Sequence, residues 1–398
     1  MSAHVAYGGA QLFATGTAEK WRSLALAAFE EYVPTSEILT RHFDVPAELA
    51  ARVRTRVAEQ LRSTAALTSL RIDFEDGYGA RPDQEEDSAA EQAGRALASL
   101  AAPPVELGLR PKGFAPATRA RALRTLSRFF GALAGPLPAG FVVTLAKVQN
   151  AHEVSLAVGA LGALEAHYGL APVAIELMAE TPGFFAELEQ RGLERMHLAS
   201  EGRLRSIHFG AYDMLSALGV PGHRQSLAHP FCTPLRLALA QAAAPFELPV
   251  YDGATLAMPV PPHRGPSLDE AERRENHAVV LEAMANHARS CDAALALGLA
   301  GSWDLHPAQL VPRHVATTAF YLRALAGSQK RLAAFLGNAA RATRAGQEFD
   351  DAASARGLLR FLARGLACGA LVDSDLAELP VSATALRTQP FDDLVASL

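Results

Sequence analysis

Charged and polar side chains recur at one kind of place in this sequence, directly after short apolar runs. Asp73-Phe74-Glu75-Asp76-Gly77 closes the run Leu70–Phe74, and Arg110-Pro111-Lys112 follows Val105–Leu109. Lys147-Val148-Gln149-Asn150 follows Phe141–Ala146, and Glu180-Thr181-Pro182-Gly183 follows Val173–Leu177, which itself carries Glu176. Gly210-Ala211-Tyr212-Asp213 comes after Ser206–Phe209, and Asp252-Gly253 after Leu248–Tyr251. Gly301-Ser302-Trp303-Asp304-Leu305-His306-Pro307 comes after Ala294–Leu299. If the runs are strands of one barrel, these residues converge on the mouth at the strand C-termini, where such barrels build active sites. Carboxylates facing cationic groups there suit a hard divalent ion with oxygen ligands, and an anionic substrate.

The elements needed for this are legible. Phe29–Val33 and the seven runs above give eight strands, each followed by a helical pattern. Strands alternating with helices imply parallel βαβ units, and eight of them imply closure. An open doubly wound sheet is the alternative, but no Gly-x-Gly-x-x-Gly follows the early strands. Leu49, Val53, Val57 and Leu61 share one helix face. Asp83 with Glu86 has capping-box form, and the acidic residues there suit a helix N-terminus. The reading is an α/β fold: a (βα)8 TIM barrel over residues 29–325, an N-terminal helical extension over 1–28 and a C-terminal helical region over 326–398.

Composition narrows the partners. The chain has 398 residues, 49% hydrophobic and 20% charged, with 37 basic against 42 acidic residues and a net charge of −5. That balance argues against a general nucleic-acid or polybasic membrane surface. It leaves small molecules and other protein chains. Cys232, Cys291 and Cys368 are far apart and odd in number, which reads as reduced thiols in a cytoplasmic protein. No signal peptide is legible at Met1 to Thr15, and no apolar run has the ~20 residues that cross a bilayer.

Taken in order, the motifs resemble those of the HpcH/HpaI aldolase and citrate lyase beta-subunit family, within the pyruvate/phosphoenolpyruvate barrel superfamily. The resemblance spans about Leu70 to Phe320. Asp73-Phe-Glu-Asp76 resembles the family's Asp-x-Glu-Asp, also present in malate synthases. Arg110-Pro-Lys112 falls where the family has its substrate-binding Arg, and Leu145-Ala-Lys147 resembles its Pro-Lys strand end. Glu180-Thr181, Phe209-Gly-Ala-Tyr-Asp213 and Leu305-His-Pro-Ala-Gln309 resemble its metal-binding Glu-Thr/Ser, its Phe-Gly-x-x-Asp and its closing Ile-His-Pro-x-Gln.

The resemblance implies a carbon–carbon lyase or aldolase using Mg2+, or Mn2+, on a carboxylate-bearing oxo or hydroxy acid or its acyl-CoA thioester. The alternatives are a malate-synthase-like condensing enzyme and a metal- or ligand-binding homologue without lyase activity. It implies Glu180 and Asp213 as metal ligands; the competing reading makes Glu180 a helix cap and Asp213 a turn acid. Arg110 is the candidate carboxylate clamp, through its planar fork. Glu75, Asp76, Lys112 and Lys147 are the remaining candidate substrate-site residues. Asp252, Asp304 and His306 are the candidate bases, though His-Pro also suits a structural turn. Asp73 is expected to face a neighbouring helix or loop, Glu176 to be a salt-bridge partner, His208 to be a core histidine and Arg81 a loop ion pair. Family members are commonly homo-oligomers, so a homo-oligomer is expected, with the region after Gly327 completing a neighbour's site.

Overall fold

The computed structural model describes residues 3–100, 103–133, 135–339, 352–379 and 381–389. Eight strands form its centre: β1 (His4–Gly9), β2 (Ser69–Asp73), β3 (Glu106–Arg110), β4 (Val142–Leu145), β5 (Ala174–Ala179), β6 (Leu204–Phe209), β7 (Val250–Asp252) and β8 (Gly301–Asp304). Each pairs in parallel with the next, and β8 returns to β1 through His4↔Ser302, so the barrel is closed. Helices follow the strands, and the apolar layer between them is one large core. A smaller apolar cluster of Val5, Tyr7, Met178, Tyr251 and Trp303 comes from β1, β5, β7 and β8. Six of the expected strands are found within about two residues of their sequence positions.

Two strands lie elsewhere. Phe29–Val33 is not a strand: its first four residues end the helix α1 (Thr17–Tyr32), and Val33 caps it. Trp21, Ala25, Ala28, Phe29 and Tyr32 are buried along α1 at helical spacing. The first strand is instead His4-Val-Ala-Tyr-Gly-Gly9, inside the stretch expected to be an extension. Ala294–Leu299 likewise belongs to the end of the helix Glu270–Ala296 and its turn, where Gly298 takes a φ of 79°. β8 begins two residues later at Gly301. A Cβ there would lie 1.9 Å from the Ala3 carbonyl oxygen, so this barrel seam requires glycine.

The capping box at Asp83 does not form. Pro82 is the cap residue, and no side chain caps the helix Asp83–Ala98. Asp83, Glu85 and Glu86 do occupy its first turn, but Glu86 turns inward, accepting from Thr125 Oγ1 at 2.6 Å beside Arg121. The tail is helical where described, with helices Ala352–Ala367 and Ala383–Thr388. It packs on its own chain: Asp375 pairs with Arg56 at 3.0 Å, and Arg364 donates to the Gly298 carbonyl just ahead of β8, the end opposite the mouth. The expected tail begins inside the helix Leu310–Ala339, and its residues 340–351, 380 and 390–398 lie outside the described residues. Among the described residues no helix is long and apolar enough to cross a membrane.

Inside the barrel, residues two apart on a strand face the same way. Arg71 on β2 and Glu176 on β5 meet there in a two-point ion pair, Nε to Oε2 at 2.9 Å and Nη2 to Oε1 at 2.7 Å. Thr144 and Ser206 donate to the same carboxylate at 2.8 and 3.0 Å, and Ser69 takes the third Arg71 nitrogen. Burial opposes the charge on Glu176, yet the Arg71 guanidinium holds its carboxyl well below the usual range. Glu176 is therefore the salt-bridge partner expected from its sequence. Removing one partner of such a buried pair strands the other charge. Glu176→Ala should cost about 3–5 kcal/mol in urea denaturation. Leucine at both 71 and 176 should recover much of that loss.

Candidate active site

The strand C-termini open on a cavity of about 710 Å³. Its polar side chains include Asp73, Asp76, Arg110, Glu180, Asp213 and His306, from the ends of five strands. Asp73 departs from expectation. It is buried at the end of β2 and grips Arg110 from β3 side-on, Nε to Oδ1 at 2.7 Å and Nη2 to Oδ2 at 2.6 Å. It also accepts the backbone N–H of Glu75 at 2.9 Å and of Gly77 at 2.8 Å, which folds the loop after β2. A Cβ on Gly77 would come within 2.6 Å of Asp73 Oδ2, so the approach needs glycine.

The fork of Arg110 is therefore spent on Asp73 and does not stand open as a bidentate clamp. Nη1 remains, directed towards Met178 Sδ at 3.3 Å, Asp76 at 3.5 Å and Glu75 at 4.0 Å. The guanidinium also lies over the Tyr7 ring, 5.0 Å from its centroid. Below it, the indole N–H of Trp303, which can only donate, reaches His208 Nδ1 at 3.0 Å. That assigns the ring proton of His208 to Nε2, facing Ser206. His208 is the expected core histidine.

Lys147 follows β4 in a left-handed conformation, φ 53°, which is strained for a residue with a Cβ. The turn gives its backbone N–H to Glu180 Oε1 at 2.7 Å and lays its ammonium among three carboxylates: Glu75 at 2.9 Å, Asp76 at 3.2 Å and Asp213 at 3.3 Å. Against burial, the charges of Glu180, Glu75 and Asp76 raise its pKa. Burial and the hydrogen bond to Asp76 push Glu75 up to about 7, while Asp76, despite burial, is held low by that bond and by Arg110 and Lys147.

Glu180 directly follows β5 with its side chain in the cavity rather than on the next helix. Thr181 caps the helix Pro182–Leu188 instead, accepting from Phe184 N–H at 3.1 Å. The Glu180 carboxylate packs so closely on Gly210 that a Cβ there would fall 2.3 Å from Oε2, which accounts for the glycine of Phe209-Gly210. Burial, assisted by Asp213 and opposed by Arg110 and Lys147, raises the Glu180 pKa to about 8. Asp213 stands in the first turn of the helix Ala211–Ala217 and is the more open of the two.

This donor set fits a divalent cation. Its oxygens are hard, Glu180 is a buried carboxyl that a cation would favour as the anion, and Glu75 Oε2 is buried without a hydrogen-bond partner. Among the described residues, no three His, Cys, Asp or Glu side chains are gathered at metal-holding spacing. Two carboxylates with waters and substrate oxygens is a usual arrangement for Mg2+.

Five candidates are not in the cavity lining. Glu75 and Lys147 stand at its edge, paired with each other and through the Lys147 ammonium with Asp76 and Asp213, and three are drawn elsewhere. Asp252 is buried against Arg236 at 2.9 Å, and Asp304 against Arg313 at 2.9 Å and His287 at 2.7 Å. Lys112 donates to the Phe74 carbonyl at 3.0 Å and neighbours Glu86, bracing the β2 loop. Arg81 pairs with Glu85, as expected. His306 does line the cavity while its Nδ1 accepts the Ala308 N–H at 3.2 Å. Gln309 beside it accepts from the Leu305 and His306 N–H groups and donates to the Thr255 carbonyl, joining the loops after β7 and β8. Much of the His-Pro-x-Gln run is thus structural. The partners of these ion pairs, Arg236, Arg313 and His287, lie on helices whose sequence patterns gave no cue. Asp73 belongs to a motif the sequence shows, but its inward direction is signalled by its place two residues after Arg71 on one strand face.

The raised pKa of Glu180 has a pH consequence. Its unfolded counterpart ionises at ~4.3, whereas the folded group holds its proton to about 8. Stability from this group is present below the unfolded value and is lost as pH rises towards the folded one. Glu180→Gln, which keeps an acceptor for Lys147 N–H, should gain on the parent in thermal melts of metal-free protein between about pH 5 and 8.

No curated protein matches the chain. Among solved structures, a citrate lyase from Burkholderia xenovorans LB400 is similar, with a TM-score of 0.58 at 22% identity, over 85% of this chain and 95% of that one. A Haloferax volcanii malate synthase in its magnesium/glyoxylate complex aligns over 85% of this chain and 92% of its own, at 16% identity and a TM-score of 0.47. The citrate lyase likeness agrees with the closed barrel. Residues 2–393 match the family described as a domain of unknown function, DUF6986, and the chain belongs to that family.

Proposed function

We propose that this protein is a Mg2+-dependent carbon–carbon lyase or aldolase acting on an oxo or hydroxy acid that carries a carboxylate. The observation that carries the reading is the placement of Glu180 and Asp213, from the ends of β5 and β6, in one cavity with Arg110. Glu180 and Asp213 would hold the ion, and the ion would supply Lewis-acid polarisation of a carboxylate and the adjacent oxo or hydroxyl oxygen. Glu75 and Asp76 would orient water beside it, as carboxylates near a metal site commonly do.

The protein's own groups serve the rest. Arg110 Nη1, the one guanidinium nitrogen not committed to Asp73, faces the carboxylate cluster. It is fixed before substrate arrives, so it stabilises the charge of a developing enolate without reorganising. The electron pair of the broken carbon–carbon bond becomes that enolate, and the hydroxyl proton of the other fragment must leave. His306 has its Nδ1 engaged as an acceptor, and burial lowers its pKa. With Nδ1 accepting, the neutral ring carries its proton on Nε2 and can only give it up, to the enolate carbon. The hydroxyl proton passes instead to a carboxylate of the Glu75–Asp76 pair. Lys147, an ammonium between Glu75, Asp76 and Asp213, keeps these acids together and would yield that role to a bound cation.

Asp213→Asn should fold as the parent does by circular dichroism. It should lose Mg2+-dependent release of pyruvate or a related oxo acid by more than the roughly 10–100-fold that removal of an outer-sphere partner costs. EDTA should abolish parental activity and Mg2+ restore it. Normal turnover after EDTA treatment contradicts the reading, whereas consumption of an acyl-CoA with glyoxylate assigns the condensing direction.

A further inference from the structure

The cavity is larger than its polar floor requires. At about 710 Å³ it lies within the ~300–1,000 Å³ of pockets that enclose a drug-sized ligand. An acid of three or four carbons would leave most of it empty. Its outer wall is apolar and comes from two sources. The N-terminal segment gives Leu12, Phe13, Trp21 and Leu24, and the loops after β7 and β8 give Leu256 and Leu305. Leu12 is 74% exposed, Leu24 45% and Leu256 55%, so three of the large hydrophobic side chains that face solvent stand around this one opening. Isolated surface leucines need no explanation, but a group of them around a cavity marks a contact made on binding. Among the described residues, Arg110 and Lys20 are the lysine and arginine side chains of the lining, and Lys147 at its edge is already held by Glu75, Asp76 and Asp213. A tail bearing several phosphates would find little counter-charge there.

We propose that the substrate is an amphipathic acid, with its carboxylate and oxo group on the Glu180–Asp213–Arg110 floor and an uncharged hydrocarbon or aryl tail along the leucine wall. This rests on the reading of the floor as the site of an oxo-acid head group. The N-terminal segment is then a specificity element, since α1 and the turn before it supply four of the tail contacts. Gln11 holds that turn in place by donating to the Gly77 carbonyl at 3.1 Å, on the loop that Asp73 organises.

The chain has two tryptophans, Trp21 and Trp303, and both line the cavity, so intrinsic fluorescence reports directly on its occupation. Full-length protein with saturating Mg2+ is titrated with pyruvate, 2-oxohexanoate and 2-oxooctanoate, with calorimetry in parallel. Kd should fall by about twofold to fourfold for each added methylene, fourfold being the limit of full burial. Leu24→Asp and Leu256→Asp change exposed positions that the fold does not need, and each should flatten that dependence. Measurable pyruvate binding with no gain along the series overturns the amphipathic substrate, leaves the head-group reading standing and assigns the rim to a protein contact. A gain that both variants retain overturns the assignment to the leucine wall. Failure of all three acids to bind overturns the head-group reading and this proposal together.

Discussion

The Asp73–Arg110 ion pair is the constraint around which the mouth of the barrel is arranged. Both groups are buried, and their side-on geometry uses two of the three guanidinium nitrogens. Such a pair contributes little net stability over apolar packing, because desolvation offsets the attraction. Its consequence is positional. Asp73 also takes the N–H groups of Glu75 and Gly77, so one carboxylate fixes an arginine, a loop and the two acids on that loop. Arg110 is left with one nitrogen directed at those acids.

Beneath it, Arg71 and Glu176 repeat the device with both oxygens of the carboxylate satisfied. Above it, the charges are unevenly matched. Glu75, Asp76, Glu180 and Asp213 meet one lysine ammonium and one arginine nitrogen. Burial settles the surplus by pushing Glu180 and Glu75 towards their neutral forms. Extra positive charge reverses that preference, which makes the mouth receptive to a cation. The strained turn at Lys147 serves both ends of this balance, since one residue supplies the backbone donor to Glu180 and the counter-ion to its neighbours.

The closed barrel and most of its strands are legible in the sequence, because buried parallel strands are short apolar runs and their polar C-terminal ends stand out. Two strands are not. His4–Gly9 carries histidine, alanine and glycines where a strand signal wants branched or aromatic residues, whereas Phe29–Val33 has the strand-like composition but ends α1. The Ala/Leu-rich end of the helix Glu270–Ala296 similarly outweighed the small polar β8. Acidic residues at strand ends are equally legible, but their partners are not. Nothing local separates Asp252 and Asp304, which are consumed by arginines on other elements, from Glu180 and Asp213, which are not. Only the fold decides which carboxylates face the cavity.

The most direct test of the account is a crystal structure of the protein soaked with Mg2+ and pyruvate. The account predicts an ion bound by Glu180 and Asp213, pyruvate oxygens completing its coordination beside Arg110 Nη1, and Lys147 withdrawn from Asp213. An ion bound away from these carboxylates, or pyruvate in the cavity with Lys147 still bridging Asp76 and Asp213 and no ion present, would contradict it.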